Sequence, residues 1–421
     1  MIKRSTLSAL ALTAGIISSA YAEEMDPQAI FEEAMQLRDS GQIYSSIELF
    51  ESILNKQPGL HRARLELAIA YHHTRRFEEA RAQLTQVLNS PDTPESVKLS
   101  ITAYLAQLGS DEKISQQRTS STLFISAGMF SDSNVNLGPS PETPNVSATE
   151  TSGTGATVML SYSHRSRASK PFDISGNAVD MEWQTQATAY SKVHTGEEND
   201  YNLHVLSLIT GPALIATQNW RASLNIKLEK IHFDDNPYAF NIGLNPSFTL
   251  TFANDMELTL ENQTTVREYD KTADEGLDGV AKMYGVGVVK FYKNNIGVEA
   301  GMRYHSNGAD ANYLNAKGSE IYLGGHMPAW QNARAYLQIS SRDYDYNAVD
   351  PNVTGATEAR DETEQQAIIG ISHDFRSGSL KSWTANAQLI HTKNNSNAND
   401  STLNIFEYDR NVFEINMRRY F

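Results

Sequence analysis

Two hydrophobic periods divide the chain. From Pro27 onward apolar residues fall three and four apart: Ile30, Ala34 and Leu37, then Ile47, Phe50, Ile53 and Leu54. That spacing predicts amphipathic helices. Gly41 separates the first two, and Pro58 ends the second because it lacks an N–H and has a fixed φ. After Asp111 the period changes to two. Over Asn295–His305, Ile296, Val298, Ala300, Met302 and Tyr304 share one face, while Glu299, Arg303 and His305 share the other. Trp220–Lys230, with Ala222, Leu224, Ile226 and Leu228 on one face, alternates in the same way and reads as a strand.

The helical part repeats. Ala34, Leu37, Ser46 and Phe50 recur as Ala68, Tyr71, Ala80 and Leu84, a period of about 34 residues. Small residues stand where paired helices approach, and bulky ones where they interlock. The stretches Gly41–Phe50 and Arg76–Ala80 resemble the turn and second helix of the tetratricopeptide repeat (TPR). Arg75 stands where that repeat carries a turn glycine, and Pro91 comes one position early. A further amphipathic helix is expected from Pro94 to Leu108. Two readings fit this unit: a helical spacer, or a solenoid with a peptide-binding concave face.

The β part reads as about fourteen strands between residues 118 and 421, each long enough for the 9–11 residues that cross a bilayer at a tilt. Tight links (Asn254–Asp255, Lys293–Asn295, Pro328–Gln331) alternate with long polar ones (Ser133–Ser152, Lys271–Leu277, Ser306–Asn315, Asp345–Glu362, Asn395–Leu403). Outer-membrane barrels have short periplasmic turns and longer outer loops, so the helical region and the C-terminus are expected in the periplasm. Ser166–Val179 is too long for an inner turn, and a small extra element is expected there. The expected fold class is α plus membrane β: TPR-like helical repeats over 23–112, then a transmembrane antiparallel β-barrel of about fourteen strands over 118–421.

Charge separates a barrel from a β-sandwich. Glu182, Glu229, Glu257, Glu299, Arg303 and Arg334 fall on polar strand faces. A sandwich core cannot bury them unpaired, whereas a wet lumen accepts them. Facing lipid at mid-depth, Lys or Arg costs about 2–4 kcal/mol, and the apolar faces carry few charges. Phe413, Ile415 and Met417 share a face of the last segment, which ends at Phe421. An aromatic terminus on an amphipathic strand is the signal expected to engage the barrel-assembly machinery. Arg419, at the expected inner rim, departs from that pattern.

Composition narrows the remaining classes. The 421 residues contain no Cys, which excludes disulfides, thiolate metal sites and Cys nucleophiles. The formal charge of -15 argues against nucleic-acid binding, which needs a basic face. Beyond the N-terminus no apolar run approaches the roughly 20 residues of a membrane helix. Met1–Ala22 reads as a signal peptide: Lys3 and Arg4, an apolar stretch Leu7–Ile17, then Ala20-Tyr21-Ala22 for cleavage. No G-x-S-x-G segment supports a nucleophile. Glu257 and Glu261 lie about 13 Å apart along a strand, beyond the roughly 5–9.5 Å of glycosidase carboxylates. No catalysis, metal or cofactor is expected.

Near the first strand's end stands Gly128-Met129-Phe130-Ser131-Asp132-Ser133-Asn134-Val135-Asn136-Leu137-Gly138-Pro139. Asp132-Ser133-Asn134-Val135-Asn136 resembles the D-S-N-[IV]-N segment of the surface lipoprotein assembly modulators (Slam), the translocators of type XI secretion. The domain order resembles theirs over nearly the whole mature chain. The resemblance implies an outer-membrane protein, embedded in outer-membrane lipids, that helps lipoproteins or secreted haem- or metal-binding proteins reach the cell surface. Its helical domain would engage that client in the periplasm. Asp132–Asn136 then reads either as a turn-forming loop shoulder or as a client or gate contact at the outer mouth. A polysaccharide-export conduit and a passive porin with a periplasmic interaction domain remain as other readings of the same architecture.

Overall fold

The computed structural model describes residues 26–139, 149–217, 219–353, 356–397 and 405–421; the expected signal peptide lies outside them. Five helices come first: α1 (Pro27–Asp39), α2 (Ile43–Lys56), α3 (His61–His73), α4 (Phe77–Leu88) and α5 (Glu95–Gln116). Asp26 caps α1 by accepting from the Gln28 N–H, with Pro27 in the first turn where its missing donor costs nothing. Gly41, at φ +86°, makes the tight turn into α2. Ala34, Phe50, Ala68, Tyr71, Ala80 and Leu84 are buried in one core, and Leu37 is half-buried. Phe31, which the repeat pattern passes over, meets Phe50 edge-on at 5.8 Å. α5 runs eight residues past the Leu108 expected to end it. Only Ile101 and Leu108 of α5 are buried, so periodicity gives no mark of its end.

The strands follow: β1 (Thr119–Asp132), β2 (Gly153–Arg167), β3 (Phe172–Ile174), β4 (Asn177–His194), β5 (Leu203–Ala216), β6 (Trp220–Phe233), β7 (Asn236–Phe252), β8 (Met256–Tyr269), β9 (Gly279–Tyr292), β10 (Ile296–Asn307), β11 (Ala316–Pro328), β12 (Ala333–Tyr346), β13 (Asp361–Asp374), β14 (Trp383–Ser396) and β15 (Tyr408–Tyr420). Each pairs antiparallel with its neighbours, and β1 pairs with β15 (Met129 opposite Ile415), so the sheet closes. β2 pairs directly with β4, leaving β3 as an extra strand hairpinned onto β4. The result is a fourteen-stranded antiparallel barrel plus one short strand. That strand is the small element expected within Ser166–Val179. Its turn, Ser175-Gly176, has positive φ at both positions (53° and 83°), as two-residue hairpins of matching twist require.

Alternation sorts the side chains. Val158, Leu160, Tyr162, Leu224, Ile226, Met302, Ile321 and Ile369 are exposed on the outer wall. A closed cylinder with such a skin is stable only where lipid covers it, because backbone pairing is already complete. All four tryptophans, Trp183, Trp220, Trp330 and Trp383, lie near the end where β1 begins. The links at that end, the near mouth, are short except for the β3 hairpin and the β13–β14 link between Asp374 and Trp383. Links at the far mouth are longer, apart from the two-residue turn Asp234-Asp235.

Candidate functional site: the lumen and its two mouths

Asp132, the first residue of the Slam-like segment, is 1% exposed at the end of β1. Arg410 on β15 donates to it twice, from Nε at 2.9 Å and Nη2 at 2.6 Å. Lys192 on β4 adds its ammonium at 3.2 Å, and that ammonium lies 4.3 Å from the Phe130 ring centroid. One carboxylate therefore ties β1 to β15 and β4. The rest of the segment folds back over this junction. Asn134 is buried; its Nδ2 donates to the Gly138 carbonyl at 2.8 Å and to Asp409 at 3.2 Å, and its Oδ1 accepts from the Gly138 N–H. Asn136 bridges Thr149 and Thr151, and the Val135 N–H donates to the Thr151 carbonyl. Ser133 exchanges two hydrogen bonds with the backbone of Asn411 and stays exposed. The polar atoms of this segment are engaged with the protein's own loop and seam.

Deeper in the lumen the charged residues form cross-strand networks. Glu320 on β11 is 4% exposed and takes Arg303 at 3.3 Å, Arg342 at 3.0 Å and His305 at 2.9 Å. Arg303 also reaches Glu261 at 3.0 Å. Among the residues read as lumen-lining, Glu257 pairs with Arg221 (2.7 Å), Glu229 with Lys227 (2.6 Å), and Glu182 accepts from Gln184. Glu299 lies against Gly324, where an added Cβ would fall 2.6 Å from its Oε1. Arg334 has no ion pair among the described residues. Glu320, Arg342 and Arg410 were not singled out by sequence, although each occupies an inward position of its strand. Their partners stand across from them on adjacent strands (Arg303 and Arg342 opposite Glu320, Arg410 across the β1–β15 seam from Asp132), and periodicity alone does not supply that register.

At the C-terminus Phe413, Ile415 and Phe421 are exposed, with Met417 on the same face and half-buried. Leu123 and Phe421 exchange backbone hydrogen bonds, which carries the β1–β15 pairing to the end of the chain. The Arg419 guanidinium lies 4.5 Å from the Phe421 ring and 5.8 Å from that of Trp383, so the charge at the rim rests on aromatic faces.

The helical unit docks on the near mouth. Tyr44 at the start of α2 donates its hydroxyl to the Pro171 carbonyl and its N–H to the Gly176 carbonyl, both at 2.9 Å. Asn219, in the β5–β6 turn, donates to the Ser40 carbonyl. Arg75, in the α3–α4 turn, meets Asp180 on β4 at 2.6 Å. Ala178 of β4 packs against the helical core.

These features define a class: a lipid-embedded barrel of outer-membrane type with a TPR unit seated on one mouth. The tetratricopeptide-repeat family profile matches residues 37–99. A surface lipoprotein assembly modifier of Pasteurella multocida (strain Pm70) is 30% identical over 130 residues, 31% of this chain and 24% of that protein. The chain thus spans about a quarter of the length of that relative. Together these two matches bear out the resemblance to the surface lipoprotein assembly family with a TPR. Similar solved structures include OccAB3 of Acinetobacter baumannii (TM-score 0.39, 10% identity, 72% of this chain and 99% of that one). OprD of Pseudomonas aeruginosa (0.36, 11%, 72% and 93%) and OmpT of Vibrio cholerae (0.38, 9%, 72% and 100%) are others. The closed ladder of strand pairings, independent of these likenesses, establishes the barrel.

Proposed function

We propose that this protein assists the surface display of lipoproteins at the outer membrane. In this reading the near mouth is periplasmic. The TPR unit receives an exported lipoprotein, or a secreted haem- or metal-binding client, and the barrel guides it outward. The observation that carries the reading is the seating of the repeat unit on the barrel rim through Tyr44, Asn219 and the Arg75–Asp180 pair. A client held by the helices would lie at the entrance of the lumen, so capture and passage would be adjacent steps. The Phe413–Phe421 face would present the chain to the barrel-assembly machinery, and Asp132–Asn136 would shape the exit by fixing the first outer loop. No catalytic chemistry is assigned to the protein.

The test is surface display. Cells carrying the gene and co-expressing a candidate lipoprotein are compared with a deletion strain, reading access of an externally added protease. Loss of surface exposure on deletion, restored by the full chain but not by a chain lacking residues 27–116, supports the proposal. Unchanged display of every candidate lipoprotein and haem-binding protein refutes it.

A further inference from the structure

Two arginines on one arc of the lumen wall share a hollow that no acid lines. Lys192, Arg221, Lys227, Arg303, Arg342 and Arg410 each have a carboxylate oxygen within hydrogen-bonding range, from 2.6 to 3.2 Å. Among the described residues Arg334 and Arg418 have no such partner, and neither has Arg267, which donates to the Gly308 carbonyl instead. Arg334 and Arg418 line one cavity of about 480 Å³ toward the near mouth, together with His326, Tyr336, Asn386 and Asn416. No Asp or Glu lines it.

The register explains why these side chains converge. Arg334 on β12 stands opposite Ser372 on β13, Ser372 opposite Asn386 on β14, and Asn386 opposite Asn416 on β15. That row crosses three strand spacings, about 14 Å of wall. Arg418 sits two residues beyond Asn416 on the same face, opposite Ser126 of β1. Two long side chains thus line the same hollow, with amides and hydroxyls between them. The closest acidic position by register is Asp374, two residues along β13 from the Ser372 opposite Arg334 and in one row, through Thr384, with Arg418; it accepts from the Thr384 hydroxyl at 2.7 Å and does not line the cavity. Glu414, which accepts from Gln388, and Glu299, two residues along β10 from the Gly297 opposite His326, lie toward the far mouth.

Two guanidiniums sharing one hollow repel unless an anion lies between them. Their planar forks match the paired oxygens of a carboxylate or phosphate. The amide nitrogens of Asn386 and Asn416 supply further donors around such a group, while the Tyr336 hydroxyl donates to the Gln388 and Asn386 side-chain oxygens and holds those amides in place. We propose that this pocket is an oxoanion site, holding a carboxylate or phosphate between Arg334 and Arg418 at the entrance of the lumen. The proposal concerns the barrel wall and stands whether or not the client reading holds. The oxoanion has two sources of the same chemistry: a small solute, or an acidic side chain of a polypeptide at the mouth.

The test is calorimetric titration of the full chain in detergent, at low salt, with inorganic pyrophosphate and separately with a short polyglutamate peptide. Arg334→Gln and Arg418→Gln are compared with Arg376→Gln, which removes the same charge from the exposed β13–β14 turn at the same end. Heat-dependent gel mobility confirms that each barrel is closed. Binding of at least one probe is expected, weakened about tenfold or more by either lumen variant and unchanged by Arg376→Gln. Preference for pyrophosphate assigns a solute, and preference for polyglutamate assigns a polypeptide. No binding of either probe by the parent chain overturns the proposal. So does equal weakening in Arg376→Gln, which would make the effect a matter of net charge.

Discussion

Arg75 holds Asp180 at 2.6 Å from a backbone conformation that arginine seldom adopts. Its φ is +55°, at the helix–helix turn where the repeat pattern carries glycine. A non-glycine residue in this left-handed region costs about 1–2 kcal/mol. The departure from the pattern has a use, because the side chain leaves the turn, crosses to the barrel and meets a carboxylate with both partners largely covered (14% and 23% exposed).

A double-mutant cycle on Arg75→Ala and Asp180→Ala measures that latch. Helix melting of the full chain, followed by circular dichroism at the helical minimum, should give a coupling energy of about 0.5–3 kcal/mol. Arg75→Gly relieves the turn while cutting the pair. It should leave the helical unit folded but open to protease at its junction with the barrel. Strict additivity in the cycle would show that the pair does not hold the domains together.

Asp132 leads to a second prediction, at the opposite end. Asp132→Ala leaves Arg410 and Lys192 facing one another without their shared carboxylate. Breaking a buried pair by removing one partner costs about 3–5 kcal/mol. The temperature at which the barrel loses its folded gel mobility should therefore fall in Asp132→Ala, and less in Lys192→Gln, because Arg410 still satisfies the acid. An unchanged transition in Asp132→Ala would mean that the β1–β15 seam does not depend on this junction.

Much of this architecture could be read from the residues, and the limits follow from distance along the chain. Period alone located the strands to within a few residues and placed Glu257, Glu299, Arg303 and Arg334 on one face, because burial side follows from sequence parity. It also marked Ser166–Val179 as containing an unassigned element. Partnerships were another matter. Asp132 and Arg410 are separated by 278 residues, and Arg75 and Asp180 by 105. Those contacts are set by barrel closure and by docking, neither of which leaves a local trace. Arg75 in place of the turn glycine is the local sign of the latch, and by itself it marks only a departure from the repeat pattern. The Asp132–Asn136 segment stood out by resemblance, yet only its neighbours in space reveal that its amides fasten a loop.

Gly176 tests how closely the two parts approach. Its φ is +83°, and a Cβ built there would fall 2.1 Å from the Ser45 hydroxyl and 3.2 Å from the Ser45 Cβ. Gly176→Ala should undock α2 from the hairpin, read as faster proteolysis between the helices and β1. Adding Ser45→Ala removes the nearer clash but leaves the backbone penalty of about 1–2 kcal/mol. The double variant should therefore recover docking in part. Full recovery would assign the whole effect to the side-chain clash, and no recovery would place the constraint elsewhere.

The helical unit also carries a pH dependence whose sign follows from Tyr71. This phenol is buried in the core and donates to the Glu51 carboxylate. Burial is the largest cause, and the hydrogen bond and charge of Glu51 add to it, so ionisation is pushed well above the ordinary tyrosine value near 10. In the unfolded chain Tyr71 loses its proton near pH 10 while the folded chain keeps it. Above that point the folded state binds more protons, and stability falls as pH rises. The contribution is intact below about pH 10 and is lost progressively above it. Helix melting should therefore be flat from neutral pH to about pH 9 and then drop. Tyr71→Phe removes the hydrogen bond, costing about 1 kcal/mol at neutral pH, and should make the alkaline drop shallower. Some slope should remain, because burial also raises Tyr44 and Tyr104, with Asp173 and Asp111 respectively adding to the shift. If the parent chain and Tyr71→Phe lose helix stability with the same slope above pH 10, the Tyr71 phenol is not the group that titrates.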